Sequence, residues 1–222
     1  MKLLVAILSV VSVLVLPAAV AAHPHIWISQ LVRVVTKDGK FTHVEIEWRF
    51  DPFSSEIEIP LIDENGDGRF SANEVKLLAN DMMPELQKYG FMTWLNTGAK
   101  DFRPPKRPVF SARVDDPASF KPADWDRSAG DGGQPMPSNK RVEQPVPQKR
   151  GPRNLVYVMR FELPQPVTHF SIATFDPDDF IRIELDRTAL PAGCTAAKHP
   201  SYKAEFIRGY PVFADLVTCQ TL

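Results

Sequence analysis

An alternation of apolar and polar residues between residues 26 and 50 constrains the fold of this chain more than any other feature. Two runs place an apolar residue at every second position, and only Gln30 breaks the pattern. These positions are Ile26, Ile28, Val32 and Val34 in the first run and Val44, Ile46, Trp48 and Phe50 in the second. A period of two is typical of β-strands with one buried face. The segment therefore predicts a β-hairpin.

The connection between the two runs contains Asp38 and Gly39. A two-residue turn at this dipeptide would mix apolar and polar residues on each face of the hairpin. We therefore predict a three-residue loop that begins at Lys37 and places Gly39 in the left-handed conformation of a turn with a bulge. In that register Ile28 lies opposite Trp48.

The polar face of this predicted hairpin brings two histidines and a carboxylate together. The register places His25 opposite Asp51, with His23 one step beyond on the same face. Imidazole and carboxylate ligands suit zinc, nickel, cobalt or copper. We predict a transition-metal site formed by His23, His25 and Asp51. The alternative is that both histidines are solvated surface residues.

The twelve residues from Asp63 to Glu74 match the calcium-loop pattern D-x-[DN]-x-[DN]-G-x5-E at every specified position. The predicted calcium ligands are Asp63, Asn65, Asp67, the carbonyl of Arg69, Ser71 through water, and Glu74. Gly68 would supply the sharp turn. The alternative is a hydrated turn that binds no ion.

The first 22 residues predict a secretory signal peptide. Lys2 precedes a 14-residue apolar stretch, Leu3 to Leu16, and small residues follow up to Ala22. Cleavage is expected after Ala21 or Ala22, and no later segment is long and apolar enough to span a membrane. We therefore expect a protein exported to an oxidising compartment outside the cytoplasm. For its two cysteines, Cys194 and Cys219, we expect a disulfide, with two free buried thiols as the alternative.

Composition bounds the class of protein and of partner. The formal charge of −1 becomes −2 once Lys2 is removed, so we expect no nucleic-acid partner. Residues 23–222 are expected to form a single α+β domain, mainly an antiparallel β-sandwich with an inserted EF-hand-like calcium loop and helix over 53–90. The helix over 71–89 contains Pro84, which predicts either a kink or two short helices. Residues 115–153 predict a mobile Pro-rich loop.

Several short motifs resemble the domain-of-unknown-function family one thousand and seven. They are His23 to Ile28, Trp48 to Phe53, Asp63 to Glu74, Phe175 to Pro177 and Pro191 to Cys194. The resemblance implies a periplasmic component of an uncharacterised ABC-type transport system that works with an inner-membrane permease for nickel, cobalt or zinc. It supports His23, His25 and Asp51 as the metal face. Asp176 is then either a further ligand or an ordinary turn residue.

Three functions compete on these grounds. The preferred hypothesis is a non-enzymatic metal binder that exchanges zinc, nickel or cobalt with a permease. The second is a calcium-stabilised interaction module in which the histidines have no role. The third is a metalloenzyme, which we do not favour because no general base accompanies a nucleophile in the sequence.

Overall fold

Ten β-strands and two α-helices account for most of the structure, which is a computed structural model. It describes residues 26–98, 101–104, 106–115, 153–205 and 211–221. The predicted signal peptide, His23, His25 and nearly all of the predicted mobile loop lie outside these ranges. In chain order the elements are β1 (Ile26–Lys37), β2 (Lys40–Phe50), α1 (Pro52–Ile62), α2 (Ala72–Lys88), β3 (Thr93–Asn96), β4 (Asp101–Phe102), β5 (Val109–Asp115), β6 (Asn154–Val167), β7 (His169–Thr174), β8 (Ile181–Leu185), β9 (Cys194–Ala204) and β10 (Val212–Gln220).

The strands form two five-stranded sheets that enclose the core. The first sheet has the order β5-β6-β2-β1-β8, and the second has the order β4-β3-β7-β10-β9. Their strand pairs are antiparallel except for β1 and β8, which run parallel. Together with the two helices, the sheets confirm the predicted α+β class with mainly antiparallel strands.

The apolar positions of the hairpin face the core, as their alternation predicted. Ile28, Val32 and Trp48 are buried in the same cluster as Phe170 from the second sheet. Gln30, the exception in the pattern, is also buried, and its side-chain oxygen accepts a 2.9 Å hydrogen bond from the Trp48 indole N–H. Burial of this amide is tolerated because Trp48 supplies its partner.

The predicted hairpin loop is wrong in its register. Asp38 and Gly39 both have positive φ and form a two-residue turn, so that Lys37 pairs with Lys40. An irregularity at Thr42 then shifts the register by one, and Ile28 lies opposite Phe50 rather than Trp48. This bulge restores the apolar residues to one face, which is why the faces were predicted correctly although the pairs were not.

The helices α1 and α2 follow the hairpin in sequence and precede β3. Each has a side-chain N-cap. Asp51 caps α1 with Pro52 in its first turn, and Ser71 caps α2. α2 continues through Pro84 as a single element rather than two short helices. α1 likewise continues through Pro60.

The C-terminal strands β9 and β10 complete the second sheet and were not predicted. Cys194 and Cys219 face each other across them and form a disulfide, which confirms the predicted pairing. None of the helices in the described ranges has the length and apolar character needed to cross a membrane.

Candidate metal sites

The predicted calcium loop begins where α1 ends. Asp63 is the C-cap of α1 and donates its backbone N–H to the Ile59 carbonyl at 2.9 Å. Its carboxylate turns into the loop and accepts hydrogen bonds from the backbone N–H groups of Asp67 at 3.1 Å and Gly68 at 2.8 Å. Asp63 is only 3% exposed. The first predicted ligand is therefore a buried carboxylate held by the loop that it would serve.

The middle of the loop turns twice in the left-handed conformation, which glycine adopts readily. Gly66 has φ of 67° and Gly68 has φ of 83°. Between them, the backbone N–H of Asp67 also lies 2.8 Å from Asn65 Oδ1, and Asp67 Oδ1 accepts from the Arg69 N–H at 2.8 Å. The side chains at these predicted ligand positions thus accept hydrogen bonds from the backbone of the loop itself.

The end of the loop is the capped start of α2. Ser71 Oγ accepts from the Glu74 N–H at 3.3 Å, and Glu74 Oε2 accepts from the Ser71 N–H at 2.7 Å, which together form a capping box. Hydrogen bonds from Ser71 hold the pKa of the Glu74 carboxyl below its usual range. Glu74 is therefore a carboxylate at neutral pH, and it is 5% exposed.

The loop carboxylates are occupied by backbone donors rather than gathered around one point. Within the part of the chain that the structure describes, no three His, Cys, Asp or Glu side chains form a ready-made metal site. Glu74 Oε1 lies 3.5 Å from the Asn65 N–H, at the limit of a hydrogen bond. A cation in this loop would therefore have to draw the carboxylates together.

Asp51, the third predicted transition-metal ligand, is engaged by three hydrogen-bond donors. Its Oδ1 accepts from the Ser54 N–H at 2.9 Å, and its Oδ2 accepts from the Ser54 hydroxyl at 2.6 Å and from the Trp27 N–H at 3.0 Å. A carboxylate offers roughly four acceptor positions. Asp51 thus has a structural role as an N-cap and retains room for about one further partner.

The position of Asp51 differs from the prediction by two residues. Its backbone N–H donates to the Trp27 carbonyl, so Trp27 rather than His25 is its cross-strand neighbour. The two-residue turn and the bulge at Thr42 each move the register by one residue from the prediction, which makes two in total and leaves the predicted face unchanged. Asp51 therefore lies beside the point where the chain that carries His23 and His25 enters β1.

Asp176 forms a turn. Its carboxylate accepts the backbone N–H groups of Asp178, Phe180 and Ile181, each at 3.0 Å. These contacts fold the segment before β8 and support the turn alternative over the ligand alternative.

A set of contacts around His199 on β9 was not predicted from the sequence. His199 Nδ1 accepts the backbone N–H groups of Ser201 at 3.1 Å and Tyr202 at 2.9 Å, so its ring proton is on Nε2, 3.9 Å from Asp101 Oδ2. Burial lowers the pKa of His199 below its usual range, although the Asp101 carboxylate opposes that shift. No sequence motif marks this contact, because Asp101 is about a hundred residues away.

A second missed group lies on the outer face of the first sheet. Glu47 on β2 has a fully buried side chain, and its carboxylate contacts three guanidinium groups, from Arg33, Arg49 and Arg113. Alternation predicted that Glu47 would point away from the core, which it does, but not that three arginines would cover it.

Comparison with known proteins places the chain in a family. A family sequence model, described as Protein of unknown function (DUF1007), matches residues 8–210. The chain belongs to this family. The DUF1007 match spans the predicted calcium loop, both histidines before β1 and the first cysteine of the disulfide. Neither a search of curated proteins nor a search of solved structures found a match.

Proposed function

We propose that this DUF1007 protein is an exported, calcium-stabilised interaction module that binds one Ca²⁺ in the loop 63–74. The supporting observation is that two carboxylates are buried with no cationic side chain of the described residues paired to them. Asp63 and Glu74 are 3% and 5% exposed, and neither forms an ion pair with a Lys, Arg or His in the described ranges. Buried charges are normally paired or bound to a metal.

The donor set of the loop suits calcium better than a softer metal. Its oxygen ligands are carboxylates, an amide, a hydroxyl and a backbone carbonyl, and calcium takes six to eight such oxygens in flexible geometry. The residues that would hold the ion are Asp63, Asn65, Asp67, Arg69 through its carbonyl, Ser71 through water, and Glu74. A bound cation would offset the repulsion between the carboxylates and would tie the end of α1 to the start of α2.

Thermal unfolding of the mature protein with and without calcium tests this proposal. For a dissociation constant of about 0.1 to 1 mM, as in extracellular calcium modules, 10 mM calcium should stabilise the folded state by about 1.4 to 2.7 kcal/mol. An unfolding midpoint in 10 mM calcium equal to that in chelator would refute the calcium site.

Two substitutions to glutamine distinguish loss of calcium binding from loss of the helix cap. Glu74→Gln should abolish the calcium effect but keep the capping box, because glutamine serves at this position as well as glutamate. Glu64→Gln is the matched control, since Glu64 lies in the same loop, is exposed, and is not a predicted ligand. Equal loss of the calcium effect in both variants would indicate nonspecific attraction of the cation.

A second candidate function is transfer of zinc, nickel or cobalt to or from an inner-membrane permease, with His23, His25 and Asp51 as the metal ligands. It is favoured by the fixed carboxylate of Asp51, which hydrogen-bonds Trp27 at the start of β1. Calorimetric titration of the mature protein with each metal, in saturating calcium, tests it. Micromolar binding that disappears in the His23→Ala/His25→Ala variant supports this function, and binding unchanged in that variant refutes it.

A further inference from the structure

The helix α1 exposes apolar side chains on the face that it turns to solvent. Phe53, Ile57 and Leu61 are 70%, 50% and 72% exposed. They are four residues apart and therefore lie on one face of the helix, about 12 Å from end to end. We call these three residues the α1 ridge. A surface helix normally presents polar residues to solvent, so the α1 ridge reverses the usual pattern.

The opposite face of α1 is buried and accounts for the attachment of the helix. Ser55 and Ile59 are 0% and 2% exposed, and the Ser55 hydroxyl accepts the Leu155 N–H at 2.9 Å. The fold therefore does not need the α1 ridge to hold the helix in place. Three large apolar side chains exposed along one helix face are a surface of the kind that proteins use for interaction.

The chain around the α1 ridge is acidic throughout. Residues 51–68 contain six Asp or Glu residues and no Lys or Arg. Helical geometry places Glu56 on one side of the ridge and Glu58 on the other. Neither glutamate forms an ion pair with a described residue. The ridge thus has an anionic rim, which repels anionic lipid and nucleic acid.

We propose that the α1 ridge is the docking site for a cationic amphipathic helix of a partner protein. Apolar residues of that helix at a spacing of three and four would pack on Phe53, Ile57 and Leu61, and its lysines or arginines would meet Glu56 and Glu58. The proposal names the partner class of the interaction module and so rests on that proposed function. It requires nothing of His23, His25 or Asp51.

Fluorescence titration with a 14-residue leucine/lysine amphipathic peptide tests the docking site. The protein should bind this peptide, and Phe53→Gln/Ile57→Gln/Leu61→Gln should raise the dissociation constant at least tenfold. Val109→Gln is the matched control, because Val109 is 73% exposed on β5 and should leave binding unchanged. Circular dichroism checks folding of the triple variant. Leu61→Gln alone, with an expected threefold loss, serves if that variant does not fold.

Other results would overturn the docking proposal. A leucine/glutamate peptide with the same apolar face should not bind. Equal binding of the two peptides would show that the site does not select a cationic helix. Competition by phosphatidylglycerol vesicles would assign the α1 ridge to a membrane. A dimer in sedimentation that disappears in the triple variant would assign it to a second copy of the chain.

Running the titration in calcium and in chelator separates this proposal from the calcium site. Peptide binding in a protein that shows no calcium effect on unfolding would refute the calcium site alone. A calcium effect without peptide binding would refute the α1 ridge as a docking site and leave the calcium site intact.

Discussion

Replacing Glu47 by glutamine should destabilise the protein without removing any apolar contact. The Glu47 side chain is 0% exposed, and its oxygens lie 2.6 Å from Arg33 Nη1, 2.7 Å from Arg49 Nε and 3.1 Å from Arg113 Nη2. Burial favours the neutral acid, but hydrogen bonds from Arg49 and Arg33 outweigh it and hold the pKa of Glu47 below its usual range. Glutamine keeps the shape of the side chain and leaves three guanidinium groups without their shared anion.

The size of the loss follows from the exposure of the arginines. Removing one partner of a fully buried ion pair costs about 3 to 5 kcal/mol. Here Arg33 and Arg113 are 49% and 42% exposed, so water screens part of the unbalanced charge. We therefore expect Glu47→Gln to cost about 2 to 3 kcal/mol. For a domain of this size that lowers the melting temperature by about 4 to 12 °C.

Thermal unfolding by circular dichroism at pH 7 measures this loss. Glu162→Gln is the control, because Glu162 is on the same sheet and pairs with Lys106, yet both side chains are more than half exposed. Its melting temperature should equal that of the wild type. A Glu47→Gln variant as stable as the wild type would refute the assignment of Glu47 as the anchor of the three arginines.

The pH dependence gives an independent check on the same carboxylate. Because folding lowers the pKa of Glu47, its contribution is present above the ordinary value of 4.5 and is lost as the pH falls below it. The difference in melting temperature between wild type and Glu47→Gln should therefore narrow between pH 6 and pH 3.5. A constant difference over that range would contradict the proposed charge network.

Two further predictions concern residues near the candidate sites. Asp51→Ala should cost about 2 to 4 kcal/mol in urea unfolding, because it removes the N-cap and the partner of the Trp27 N–H, whereas Asp51→Ser should cost less since serine still caps the helix. Equal losses in the two variants would contradict the N-cap role of Asp51. For His199, folding lowers the pKa, so stability should fall as the pH drops below about 6.5. His199→Asn keeps an acceptor and should weaken that dependence on pH in thermal unfolding; an unchanged dependence would exclude His199 as its source.

The faces of β1 and β2 were predictable from sequence because alternation reports burial, not pairing. The register was not, because it depends on the unpaired residue at Thr42, which no side-chain pattern marks. The strand β9 was missed for a related reason. Between Lys198 and Lys203 the strand departs from its partner, with Ala214 as the only residue opposite, so its side chains show no regular period.

The candidate sites were predictable only where a local motif specifies the chemistry. The loop 63–74 follows a spacing pattern whose ligands are close in sequence. Asp51 was predicted from its position on the polar face, but its N-cap role depends on contacts to Ser54 and Trp27 that form when β1 meets α1. Pro60 lies inside α1, where a proline normally kinks or breaks a helix. α1 persists because Pro60 removes only the partner of the Glu56 carbonyl, and the exposed position of Glu56 lets water replace it.

The three proposed features lie along α1 or at its two ends, so each can be changed without the others. Asp51 precedes the first residue of α1, the α1 ridge lies on its exposed face, and Asp63 follows its last residue. Asp51 and Asp63 are twelve residues apart, which is about 18 Å along the helix axis. Ser55 fixes the helix to the first sheet, because its hydroxyl donates to the Phe50 carbonyl and accepts the Leu155 N–H. Loss of that attachment would disturb all three features together. Substitutions at Glu74, at the α1 ridge or before β1 should each remove one function and leave the other two.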